Sequence, residues 1–107
     1  MHQQSIRRIL ALAVSGVALV AACAAPAAAP SGDVAAGQAA YASKGCAACH
    51  GANGEGGIGP KIAGTSLSQS AVTDRVRKGG GQMPAFDASK VSDQEIANIY
   101  AFLKSKQ

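Results

Sequence analysis

Cys46-Ala47-Ala48-Cys49-His50 is the stretch on which the reading of this chain turns. Two cysteines three apart, followed at once by a histidine, are the pattern for covalent haem attachment. Each thiol can add across one vinyl group of the ring. The histidine next in the chain is then carried under the iron, where a ring nitrogen binds it. Five residues thus specify both the attachment and one axial ligand. Three other uses of Cys-x-x-Cys compete. A thioredoxin-like redox pair sits between a strand and a helix, and no strand pattern precedes Cys46. A structural zinc site needs four ligands, and beyond the N-terminal region the chain has no further Cys or His. A disulfide between Cys46 and Cys49 would be tight and would leave His50 without a task.

A candidate sixth ligand follows from counting. His2 and Met1 lie in a segment that reads as a removable leader, so Met83 is the methionine that remains. A lone methionine is more often a core filler. Met83 instead stands in Gly81-Gln82-Met83-Pro84-Ala85-Phe86, a Gly/Pro-punctuated loop away from any helix face. A thioether opposite a histidine stabilises ferrous iron and raises the reduction potential.

The 107 residues divide into three parts: 1–22, 23–31 and 32–107. Arg7 and Arg8, the apolar run Ile9 to Val20 and the small residues after it have the order of an export signal. The run is short of the roughly 20 residues of a spanning helix; a buried core helix is the rival reading. Val20-Ala21-Ala22-Cys23 resembles the lipobox of bacterial lipoproteins, in which the cysteine is acylated and becomes the first residue. This reading gives the odd cysteine, Cys23, a role as a lipid anchor. Ordinary cleavage is the rival, since Ala22-Cys23-Ala24 and Ala25-Pro26-Ala27 both offer small residues at the required spacing. Arg7-Arg8 matches a twin-arginine signal poorly, with Ile6 where that motif wants Ser or Thr. The Ala/Pro stretch Ala24–Pro30 is a linker that reaches about 20 Å when extended. The expected location is the periplasm, with a possible membrane tether through Cys23.

The mature part keeps eight Lys/Arg against six Asp/Glu, about +2, which two haem propionates bring near zero. This balance predicts no nucleic-acid partner. Arg75, Arg77 and Lys78 cluster, and read as a solvated helix end, with a docking patch or a propionate partner as alternatives. With no Trp, two Tyr and two Phe, the domain lacks the large side chains that fill a core. A domain this small usually needs a staple, and a flat, mostly apolar haem would fill its centre.

Periodicity predicts helices over about Asp33–Ser43, about Ser68–Lys78 and from Ser92 to the C-terminal lysines. The first has Asp33 as N-cap and Val34, Gln38 and Tyr41 at helical spacing. It stops at Gly45. The second sets Val72 and Val76 one turn apart and ends at Gly79-Gly80-Gly81. The third opens on the capping box Ser92-Asp93-Gln94-Glu95, with Val91 and Ile96 placed as a hydrophobic staple. It presents Ile96, Ile99, Tyr100 and Leu103 on one face. No segment alternates as a strand does. The glycines between 51 and 64, interspersed with Asn53, Glu55, Ile58 and Pro60, predict an ordered loop.

Taken together, Gly37-x-x-x-Tyr41, Cys46-x-x-Cys49-His50, Gly59-Pro60, Met83-Pro84 and the C-terminal helix resemble the small class I cytochromes c of bacteria, over nearly all of residues 32–107. The resemblance implies an all-α fold of three or more helices and glycine-rich loops around one covalently bound haem c. It implies that the N- and C-terminal helices cross closely, with Gly37 permitting the approach and Tyr41, Ile99 and Phe102 packed around it. It also implies that the Pro60 carbonyl receives the second nitrogen of His50. His50 and Met83 would then saturate the iron, which disfavours catalysis there and points to a monomeric carrier of single electrons between transiently docked redox proteins. The competing classes are a haem sensor or enzyme module with a displaceable sixth ligand, and a module serving one fixed oxidoreductase.

Overall fold

The computed structural model describes residues 29–107 together with Gly16; the leader, Cys23 and most of the linker lie outside the described residues. Four helices follow in order: α1 (Val34–Ser43), α2 (Cys46–His50), α3 (Gln69–Lys78) and α4 (Asp93–Lys104). Among the described residues no strand forms, and the only bridge is the isolated pair Gly80 and Met83.

The helix ends lie where capping chemistry puts them. The Asp33 side chain accepts from the Ala36 N–H at 2.7 Å, and the Ser68 hydroxyl accepts from Ala71 at 3.2 Å. At α4 both halves of the capping box form, Glu95 N–H to Ser92 Oγ at 3.1 Å and Ser92 N–H to the Glu95 carboxylate at 2.8 Å. Each such cap satisfies backbone donors that the first turn otherwise leaves unpaired. The staple pair Val91 and Ile96 is buried in one cluster with the α4 face.

The one-turn helix α2 was not among the predicted helices. Gly45, at φ 83°, ends α1 and is at once the N-cap of α2. Five residues span less than two turns, so they carry no readable period.

The core lies where α1 crosses α4. A Cβ built on Gly37 would sit 1.8 Å from the Asn98 carbonyl oxygen, and one on Gly32 2.0 Å from that of Ala97. Backbone therefore touches backbone at the crossing. Tyr41 and Phe102 pack beside it with ring centroids 5.3 Å apart and planes tilted by 52°, a favoured aromatic geometry. Ile96 and Phe102 are fully buried, with Ala40, Ile99 and Leu103 around them.

Two expected faces are corrected. The buried positions of α1 are Gly37, Ala40 and Tyr41, while Val34 is 45% exposed and Gln38 faces solvent. Tyr41 is buried as expected, and Gly37 lies where α1 meets the α4 backbone, a position that a search for large apolar residues passes over. On α4, Phe102 and Ala97 are buried, and Tyr100 is only half-buried because its hydroxyl donates to the Leu67 carbonyl at 2.9 Å.

Candidate haem site

A cavity of about 740 Å³ opens beside this core. Cys46, Cys49 and His50 line it, as do Met83 and Pro84. Val72 and Val76 of α3 and Ile96, Ile99 and Leu103 of α4 add an apolar lining, and Ile58, 82% exposed, lies at its edge. The volume falls within the roughly 300–1,000 Å³ of ligand pockets. The residues fit a haem: an apolar slot, two thiols on its wall and an imidazole beside them.

His50 is oriented by a hydrogen bond to the loop that follows it. Its Nδ1 lies 2.8 Å from the Pro60 carbonyl oxygen. A carbonyl only accepts, so Nδ1 donates, and Nε2 is the ring nitrogen this bond leaves unused. The surrounding loop is built to keep the ring there. Gly59 donates to the Cys49 carbonyl at 2.8 Å, and Gly56 to the His50 carbonyl at 2.7 Å. A Cβ on Gly59 would press on His50 Cε1 and Nδ1 at 3.1 Å, tighter than side chains normally pack. The Tyr41 hydroxyl donates to the Gly51 carbonyl at 2.6 Å. Burial first, then the neighbouring Cys46 and Glu55, pushes that phenol up to about 12, so it remains a donor at neutral pH.

Burial pushes the Cys46 thiol up.

Met83 reaches the cavity from a short loop after α3. Gly80 and Met83 exchange backbone hydrogen bonds at 3.0 Å in each direction, and Phe86 N–H donates to the Val76 carbonyl at 2.8 Å. Gly79 turns the chain out of the helix at φ 66°, where a Cβ would lie 2.6 Å from the Met83 carbonyl oxygen. Of the basic cluster, Arg75 and Lys78 are exposed, and Arg75 lines the cavity. Arg77 behaves differently. Its guanidinium turns inward to Phe86, Val91 and Asp93. These partners lie 9 to 16 residues away, so no local pattern signals them.

A family model described as "Cytochrome C oxidase, cbb3-type, subunit III" matches residues 32–103, a span that takes in Cys46, Cys49, His50, Pro60 and Met83. The chain belongs to the c-type cytochromes of this family. Its cofactor is covalently bound haem c, and haem-based electron transfer is the chemistry of such a domain.

This cytochrome is 38% identical over 60 residues to the 4-cresol dehydrogenase [hydroxylating] cytochrome c subunit of Pseudomonas putida, covering 56% of the chain and 51% of the relative. It is 33% identical over 69 residues to cytochrome c-555 of Methylococcus capsulatus, covering 62% and 56%. The cytochrome thus spans about half the length of these curated relatives. Among solved structures, cytochrome c6 of the diatom Phaeodactylum tricornutum superposes with a TM-score of 0.56 at 33% identity, over 69% of this chain and 93% of that one.

Proposed function

We propose that the cytochrome is exported and carries one electron at a time between redox proteins, on a single haem attached through Cys46 and Cys49 with His50 and Met83 as axial ligands. The bound haem supplies a one-electron couple between ferric and ferrous iron. The rest of the work falls to the chain's own residues. Cys46 and Cys49 would keep the ring in its slot, and His50 would offer Nε2 to the iron. The Pro60 carbonyl orients that imidazole and makes it more basic. Met83 would offer its thioether to the iron from a loop anchored to α3. With His50 and Met83 both holding the iron there would be no place for a substrate, and a rigid covalent site would change little when the electron arrives or leaves. Partners of such a carrier dock briefly through a small interface.

The observation that carries this reading is the His50–Pro60 hydrogen bond, because it leaves one imidazole nitrogen ready for metal. Optical spectra of the purified protein, oxidised and reduced, with and without carbon monoxide, test it. The reduced spectrum is expected to be that of low-spin haem c and to stay unchanged under carbon monoxide at neutral pH. A shift on adding the gas would move the protein to the sensor or enzyme class. A second reading has one observation in its favour. The Pseudomonas relative is named as the cytochrome subunit of a dehydrogenase, so this cytochrome could serve one fixed oxidoreductase. Co-purification of a stoichiometric partner distinguishes the two.

We further propose a periplasmic address with acylation of Cys23. No helix among the described residues is long and apolar enough to cross a membrane, and the lipobox-like Val20-Ala21-Ala22-Cys23 would supply an anchor instead. Mass spectrometry of the mature N-terminus is expected to find a lipid-modified Cys23 as the first residue. A lipid-free chain beginning within the Ala/Pro stretch would rule the anchor out.

A further inference from the structure

Arg77 is drawn away from solvent by three partners. It sits in the last turn of α3, with its side chain only 22% exposed. One guanidinium nitrogen, Nη1, donates to the Phe86 carbonyl at 3.0 Å and to the Val91 carbonyl at 2.7 Å. The other, Nη2, pairs with the Asp93 carboxylate at the first position of α4. One planar group thus ties the end of α3 to both ends of the segment Phe86–Val91 and to the start of α4.

The placement matters because of what lies just before Phe86. The loop that carries Met83 leaves α3 at Gly79 and returns to it at Phe86. The departing end is held by the Gly79 N–H on the Arg75 carbonyl at 2.8 Å, and the returning end by the Phe86 N–H on the Val76 carbonyl. Arg77 takes the Phe86 carbonyl, so the Phe86 peptide position is gripped on both its donor and its acceptor. Between these points stand three consecutive glycines, 79 to 81, which gain more conformational freedom than other residues when released. A neutral thioether is a weak donor. Whether it keeps its place depends on how firmly its loop is held, and the returning end is held by Arg77.

We infer that Arg77 is a positioning residue for the axial methionine: it holds the Met83 loop closed on the haem slot and so sets how readily an external ligand displaces the thioether. The inference rests on the assignment of Met83 to the iron. Only arginine has the flat, multi-donor fork for two carbonyls and a carboxylate at once. Lysine keeps the charge facing Asp93 but cannot reproduce that fork, so Arg77→Lys isolates the loop tie from the charge.

The experiment titrates imidazole into the ferric holoprotein, following the visible spectrum, for the parent and for Arg77→Lys, Arg77→Gln, Ser92→Ala and Met83→Ala. Ser92→Ala removes the α4 cap beside Asp93 without touching the loop, and so reports what lost stability alone does. Both Arg77 variants are expected to bind imidazole about tenfold more tightly than the parent, the equivalent of one or two lost hydrogen bonds. Ser92→Ala is expected to stay near the parent. If the Arg77 variants gain no more affinity than Ser92→Ala, the positioning role is overturned. Should Arg77→Gln fail to retain haem, the comparison is made on Arg77→Lys, where the same criterion decides. Met83→Ala serves a separate purpose. If it matches the parent in spectrum and imidazole affinity, the ligand assignment itself is wrong, whatever Arg77 does.

Discussion

Met83→Ala is expected to lower the reduction potential of the holoprotein by on the order of 100 mV and to let carbon monoxide bind the reduced form. The reason lies in what the thioether does for iron. It is a soft, neutral donor that favours the ferrous state, and axial ligands together move haem potentials across roughly 0.8 V. The substitution is a clean one. The backbone pair that shapes the loop uses the N–H and C=O of residue 83, and an alanine retains both. Gly79 and Phe86 keep their ties to α3. The side chain itself is only half-buried, so truncation leaves a small cavity and a correspondingly small loss of stability. With Met83 on the iron as proposed, the effect falls there rather than on the fold. A spectroelectrochemical titration of both proteins checks it, and equal potentials would remove Met83 from the iron.

Gly37→Ala should cost roughly 3 kcal/mol and about 15 °C in Tm, a large loss for a single added methyl. Two effects oppose one another here. Alanine is the better helix former by about 1 kcal/mol, because glycine gives up more backbone freedom on folding. Against this, the new Cβ would lie 1.8 Å from the Asn98 carbonyl oxygen and 2.4 Å from its carbon. These are backbone atoms in the middle of α4, so no rotamer change relieves the overlap. The two helices must separate, and the separation reaches the Tyr41–Phe102 pair and the bond from the Asp33 N–H to the Asn98 side chain at 2.9 Å. The clash outweighs the propensity gain because it acts on the main packing surface of the domain. Thermal melts of the holoprotein provide the measurement. A variant as stable as the parent would mean that the helices do not meet backbone to backbone.

Much of this protein was legible from residues alone because its determinants are local. Cys46, Cys49 and His50 are contiguous, so their joint chemistry survives any folding. Asp33 and the Ser92–Glu95 box act on backbone groups three residues away, and both predicted caps form. Gly79 ends α3 as glycine commonly ends helices. Gly37 and Pro60 stood out only through the family pattern, since neither residue alone specifies a helix crossing or an acceptor for His50.

What the chain kept back depends on residues distant in sequence. Tertiary structure alone decided that α1 turns Gly37 and Ala40, together with the predicted Tyr41, toward α4 and leaves Val34 exposed, because the crossing brings Gly37 onto the backbone of α4. It decided that Tyr100 turns outward to Leu67 while Phe102 takes the core. It also made Arg77, one of three neighbouring cations with nothing local to set it apart, the clasp of the methionine loop. Covalent pattern and capping are written in neighbouring residues. Burial and long-range hydrogen bonding depend on which atoms the folded chain brings together.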